Sequence, residues 1–310
     1  RELKPGDEIG VTTLDHEGNV APWRALEERG VVIRTVDIRT ADCTLDPESL
    51  ERQVTPRTRL VAAGYASNAV GTINDVARVV ELAHRAGALA FIDAVHYAPH
   101  GPVDVAALDC DFLACSPYKF FAPHLGVIYG KRAHLDRLTP YKVRPALNEG
   151  WDRWETGTQN HEALAGLVAA IGYLEDLGLR VRPGSGGRRS LLLSAMEAIQ
   201  GYERELIGRL ITGLLAIPGL QFYGITDPAQ FHRRTPTVSI RMANRTPQQL
   251  AQRLGEEGIF VWDGNFYALG LTERLGVEAD GGLLRIGLVH YNTGDEVDRL
   301  LGELRKAAAQ

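Results

Sequence analysis

Residues 88–126 read ALAFIDAVHYAPHGPVDVAALDCDFLACSPYKFFAPHLG. Two apolar runs, 88–92 and 110–115, have the length and composition of buried strands. The first ends in an acid, Asp93, and the second leads into Ser116-Pro117-Tyr118-Lys119. Open α/β sheets bind their ligands beyond the carboxyl ends of the strands. This spacing therefore brings a carboxylate and an amine to one rim.

Lys119 stands among Tyr118, Phe120, Phe121 and Pro123, where a permanent ammonium is costly to desolvate. The chain holds five lysines against 29 arginines, which singles out a lysine at this point. Arginine stays charged, whereas a desolvated lysine can lose its proton and attack a carbonyl carbon. The competing reading is a loop lysine that snorkels to the surface.

A length of 310 residues exceeds the usual single domain and suggests two. A chain that is 45% hydrophobic and 24% charged is of the soluble globular kind. The net charge of -5 gives no electrostatic reason to expect nucleic acid or an anionic membrane as partner. No apolar run reaches the length of a membrane span, and no signal peptide is visible. Cys43, Cys110 and Cys115 form neither a disulfide framework nor a zinc spacing, so no metal is expected. Cys110 and Cys115 read as small buried apolar residues, and the expected location is cytoplasmic.

Outward from the central stretch, strand-like and helix-like patterns alternate, as in a layered α/β fold. Strands are expected over 9–13, 31–37, 60–65, 88–92 and 110–115, with an antiparallel return over 126–130. Helices are expected over 20–29, 47–53 and 74–86, the last with Asn74 as N-cap and Gly87 as its stop. Residues 140–157 read as a loop, and 162–177 as an apolar helix returning to the core. The sequence RVRPGSGG at 180–187 is the best linker. Beyond it, a long helix over 191–216 opens a smaller α+β unit. Its strands are expected over 221–223, 237–241, 259–262 and 284–287, and its helices over 247–256 and 294–308.

Asp93-Ala94-Val95-His96, then Ser116-Pro117-Tyr118-Lys119 and a hairpin at Gly126, resemble the fold-type-I pyridoxal-phosphate (PLP) enzymes of the class-V aminotransferase and cysteine desulfurase family. The resemblance covers essentially the whole chain. It implies an α/β fold with a mostly parallel large domain over 1–182 and a small α+β domain over 188–310. It also leads us to expect a segment ahead of Arg1 carrying a small-residue loop for the cofactor phosphate.

The residue roles follow from the same resemblance. Lys119 would form the Schiff base and move a proton at Cα, while Asp93 would pair with the pyridine nitrogen. His16, followed by Asn19-Val20-Ala21-Pro22-Trp23, would stack on the ring. Asn68 and His96 would reach the phenolic oxygen, His96 standing where desulfurases usually have Gln. Ser116 and Tyr118 would serve the phosphate. Thr158 would reach the phosphate of a neighbouring subunit, which implies a homodimer with shared sites. Arg285, followed by His290-Tyr291-Asn292-Thr293, would clamp a substrate carboxylate. Read alone, Asn68 also fits a turn, Asp93 a strand-end cap and Thr158 a helix cap.

One segment departs from the family. Desulfurases carry an Arg-x-Gly-x-x-Cys loop where this chain reads Trp262-Asp263-Gly264-Asn265-Phe266-Tyr267, with Tyr267 at the position of the Cys. A persulfide needs a thiolate. Trp262, Asn265 and Tyr267 are therefore expected to shape a different substrate pocket. The resulting expectation is a PLP enzyme acting at Cα of an amino acid or related amine. The alternatives are a true cysteine desulfurase or lyase, and a PLP-fold binding protein without turnover.

Overall fold

The computed structural model describes residues 3–150, 152–155, 157–184 and 186–309. Strands β1 (Glu8–Thr12), β2 (Val32–Val36), β5 (Thr58–Gly64), β6 (Leu89–Asp93), β7 (Phe112–Cys115) and β8 (Val127–Gly130) form one sheet, while β3 (Ile38–Arg39) and β4 (Thr44–Leu45) make a small hairpin beside it. The sheet order is β2-β1-β5-β6-β7-β8. All neighbours are parallel except β8, which returns antiparallel to β7 as expected. Val61, Ala62 and Ala63 of β5 are fully buried. Continuous burial without alternation is what a strand covered on both faces requires.

Helices α1 (Ala21–Arg24), α2 (Pro47–Gln53), α3 (Val76–Arg85) and α4 (Val105–Leu108) lie between these strands in the chain, and α5 (Arg132–Arg137) follows β8. In α3, buried Val76, Val79, Val80 and Ala83 recur at helical spacing and pack against the sheet. Its N-cap is Asp75, whose carboxylate accepts from Arg78 N–H at 3.0 Å, rather than Asn74. Asn74 instead donates to the Gly64 carbonyl at 2.8 Å, pinned to the end of β5. The helix expected over 20–29 divides into α1 and a 3-10 segment, Ala25–Arg29. Neither half has a fully buried residue, so no strong apolar anchor holds a continuous α-helix there.

Two long helices pair next, α6 (His161–Val181) and α7 (Arg188–Leu215). Residues 180 and 181 thus belong to α6, which shortens the expected linker; Ser185 within it lies outside the described residues. So do Trp151 and Thr156 of the 140–157 loop, which also contains a 3-10 turn, Asp152–Trp154. The α6 helix does not return to the core along its length. Ala163, Ala170, Leu174 and Gly178 are buried, but Val168 and Leu179 stay 63% and 50% exposed.

The second sheet holds β9 (Leu220–Tyr223), β10 (Thr237–Met242), β11 (Trp262–Gly264) and β12 (Leu283–Gly287) in the order β11-β12-β10-β9, all antiparallel. The strand expected over 259–262 begins at Trp262 instead, because pairing with β12 starts at Trp262 opposite Arg285. Ile259 and Val261 pack against the core before it. Helices α7, α8 (Pro247–Glu256) and α10 (Gly294–Ala308) cover this sheet around Leu210, Ile240, Leu250, Leu284 and Leu304. Helix α9 (Leu269–Arg274) follows β11. A third apolar cluster joins Leu14, Ala69 and Val70 to Tyr223, Phe266, Leu271 and Leu283, and so ties the two sheets together.

Candidate active site

Four adjacent parallel strands each deliver candidate side chains beyond their carboxyl ends: His16 after β1, Asn68 after β5, Asp93 ending β6, and Ser116 and Lys119 after β7. Their convergence follows from strand order alone, since β1, β5, β6 and β7 lie side by side.

Asp93 accepts from Val95 N–H at 2.9 Å through one oxygen, and its other oxygen has no hydrogen bond among the described residues. Burial raises its carboxyl above the usual range, while the charges of His16 and Lys119 pull the other way. Lys119 sits on the 3-10 turn Pro117–Phe120 and is half-buried rather than sealed by its aromatic neighbours. Its Nζ lies 5.5 Å from the Tyr118 ring and forms no ion pair among the described residues. The Ser116 side chain caps nothing on that turn. Tyr118 is 45% exposed and stacks on His124 with centroids 4.6 Å apart.

His16 accepts from Gly18 N–H through Nδ1 at 2.9 Å, which fixes its ring. Desolvation keeps its imidazole low, with Asp93 opposing and Lys119 reinforcing that shift. Tyr267 lies against it, with centroids 5.3 Å apart. Asn68 Nδ2 donates to the Phe266 carbonyl at 2.8 Å, and its Oδ1 is buried without a partner. His96 is hydrogen-bonded by Nε2 to the hydroxyls of Thr235 and Thr237.

From the second sheet, β12 sends Arg285 toward the same rim. Its guanidinium donates to the Asn68 carbonyl at 3.0 Å and lies 4.6 Å from the Phe266 ring centroid. Among the described residues it meets no carboxylate, and desolvation lowers its pKa. Trp262, Asn265 and Tyr267 line an open cleft of ≈ 990 Å³ together with Arg241 and Glu278. Asn265 is held by Glu278 at 2.9 Å and accepts from Tyr267 N–H at 3.0 Å. Phe266 and Tyr267 both have positive φ, 57° and 60°, strained for residues with a Cβ. Thr158 is exposed and shares no hydrogen bond with the other candidates; the cap of α6 is Asn160.

Sequence reasoning missed Asp15 and Phe266. Asp15, the residue before His16, is buried, accepting from Gly64 N–H at 2.7 Å and Asn19 Nδ2 at 3.0 Å. An acid between Leu14 and His16 in a polar turn has no local sign of burial. The Phe266 contact spans the two sheets, which no pattern within one segment reveals.

A model of the family described as aminotransferase class-V matches residues 1–182 and 190–300. The chain belongs to that family. This class-V protein is a PLP-dependent enzyme of fold type I. It is 33% identical over 318 residues to a cysteine desulfurase of Cronobacter sakazakii, covering 98% of this chain and 71% of that one. A cysteine desulfurase of Synechococcus elongatus is also 33% identical, over 99% of this chain but 47% of its own length. Among solved structures, the apo cysteine desulfurase of Thermococcus onnurineus superposes with a TM-score of 0.86 at 26% identity, covering 99% of this chain and 74% of that one. The Escherichia coli cysteine desulfurase CsdA superposes with 0.83 at 28% identity, covering 99% and 73%.

The donor set at the rim fits PLP: an amine without an ion pair, a buried carboxylate with one oxygen unused, a fixed imidazole, an uncommitted hydroxyl and a buried amide oxygen without a partner.

Proposed function

We propose that this enzyme activates the Cα of an amino acid or related amine, with Lys119 joined to the cofactor and moving the proton at Cα. Bound PLP supplies an electron sink for the negative charge that develops at Cα. In this reading Asp93 holds a proton on the cofactor ring nitrogen, His16 covers the ring face, and Asn68 and His96 border its phenolic oxygen. Ser116, with Tyr118, donates to the phosphate. Arg285 orients a substrate carboxylate, and Trp262, Asn265 and Tyr267 shape the space for the substrate side chain. The observation that carries the reading is the convergence of Lys119, Asp93 and His16 on adjacent strand ends.

Desulfurase activity is the second reading, favoured by the names of the relatives. Against it, the loop at 262–267 has no cysteine. Cys43 is fully buried with its thiol pushed up to about 12. Cys115, half-buried at the end of β7 rather than fully buried, has its thiol raised by burial and by the charge of Asp93. Neither is disposed to act as a thiolate nucleophile. Incubation with a panel of amino acids decides between the readings. Release of sulfide or persulfide from cysteine would establish the second. Exchange of the Cα hydrogen with solvent, without sulfur release, supports the first and excludes a silent binding protein.

A homodimer is part of the proposal. It would cover the apolar side chains of α6, Leu164, Val168 and Leu179, and bring exposed Thr158 to a neighbouring site. Division into units over 1–182 and 188–310, and a cytoplasmic location in keeping with three free cysteines, belong to the same reading. No helix of the described residues is long and apolar enough to cross a membrane.

A further inference from the structure

Two threonines absent from the site described by sequence decide what His96 can offer. Thr235 precedes β10 and Thr237 opens it, and both are buried. Gly71 lets this strand approach: its φ is +79°, and a Cβ there would stand 2.3 Å from the Thr237 carbonyl oxygen. The two hydroxyl oxygens face a single atom, His96 Nε2, at 3.2 Å and 3.1 Å.

Thr235 Oγ1 donates its one hydrogen to the Gly71 carbonyl at 3.3 Å. Toward His96 it then accepts, and a hydrogen on Nε2 keeps two lone pairs from facing each other at 3.2 Å, with Thr237 Oγ1 accepting from the same N–H at 3.1 Å. A neutral imidazole has one N–H, which leaves Nδ1 with a bare lone pair. Among the described residues Nδ1 has no hydrogen-bond partner. A second proton is disfavoured by burial first, and then by the charges of His100, Arg285 and Lys119. Behind His96, His100 stands edge-on with centroids 5.5 Å away, and its Nδ1 is 2.9 Å from Glu203 Oε2.

We propose that Thr235 and Thr237 are positioning residues that hold His96 as the Nε2–H tautomer, so that the site presents an uncharged hydrogen-bond acceptor, Nδ1, to an N–H or O–H of the bound molecule. This rests on the reading of the rim as the cofactor pocket. It differs from the amide expected at this position by resemblance, since an amide offers a donor as well. A site with a fixed acceptor favours the proton-bearing form of the group it meets.

The test uses the full chain with ring-nitrogen-labelled histidines and the cofactor removed. The His96 signals are identified by their loss in His96→Asn. Expected is a single neutral tautomer, protonated at Nε2 and bare at Nδ1, unchanged across neutral pH. In Thr235→Val/Thr237→Val that single signature is lost to a mixture of tautomers. In Thr235→Ser/Thr237→Ser, which keeps both hydroxyls, it is retained. A wild-type ring protonated at Nδ1, or charged at neutral pH, overturns the proposal even if the valine variant fails to fold. So does a folded valine variant with the wild-type signature. Because the tautomer is read without cofactor, failure of PLP to attach at Lys119 would overturn the pocket reading separately.

Discussion

Asp15 illustrates how much a single buried acid can set. Its carboxylate is enclosed, and burial pushes it up to about 7 despite hydrogen bonds from Gly64 and Asn19 and with added repulsion from Asp93. The folded value lies above the unfolded one, so the stability it contributes is present below about pH 4 and lost as pH rises through 7. Asp93 and Glu203, also raised by burial, have the same sign. We therefore expect Asp15 to add a downward slope of stability with pH between about 4 and 7, set against the upward slope from carboxyls held low by their partners, such as Asp111 and Glu8. In Asp15→Asn that slope should flatten by up to about 1.4 kcal/mol per pH unit, followed by calorimetry. A slope unchanged in the variant would contradict the assignment. None of this was legible in the sequence: His16, Asp93 and Lys119 declared themselves through their neighbours, whereas Asp15 gains its importance from contact with Gly64, 49 positions away.

Among the elements, α6 and α7 depend on one close approach. Gly178 lies where a Cβ would stand 2.0 Å from the Leu191 carbonyl oxygen, a backbone atom that cannot swing aside. Gly178→Ala should cost about 1–3 kcal/mol, read as a lower urea midpoint, even though alanine is the better helix former. No loss would mean the two helices are not packed so tightly. Element type was largely legible here: α8 and α10 fall where their periodicity put them. Boundaries were less so. Asn74 and Asp75 are equally good caps by composition, and only the contact of Asn74 with β5 decides between them. The apolar character of α6 suggested a core helix, yet one sequence cannot say whether its face meets its own chain or a second copy. Chain mass by light scattering tests this. A dimer is expected, and Leu164→Glu/Val168→Glu should shift it toward monomer.

At the scale of the whole molecule the account depends on two sheets meeting at one rim. Arg234 helps hold them. It is buried, bonded to the Val70 carbonyl at 3.4 Å and the Thr237 carbonyl at 2.7 Å, with a further bond to the Ile225 carbonyl, and lies 5.5 Å from the Phe222 ring. Arg234→Met would strip these carbonyls of their donor at a cost of about 3 kcal/mol, measurable as a lower unfolding midpoint. An unchanged midpoint would show that the sheets are joined without it. The parallel strand ends at the rim were foreseeable from the pattern of apolar runs and the residues after them. The contribution of β10 was not, because Thr235 and Thr237 carry no motif and reach His96 only through tertiary packing. The most direct test of the central claim is borohydride reduction of the full chain with PLP, followed by peptide mass mapping. The account predicts a single stable adduct on Lys119, and none in Lys119→Ala; an unlabelled Lys119, or an adduct carried equally by the other lysines, would contradict it.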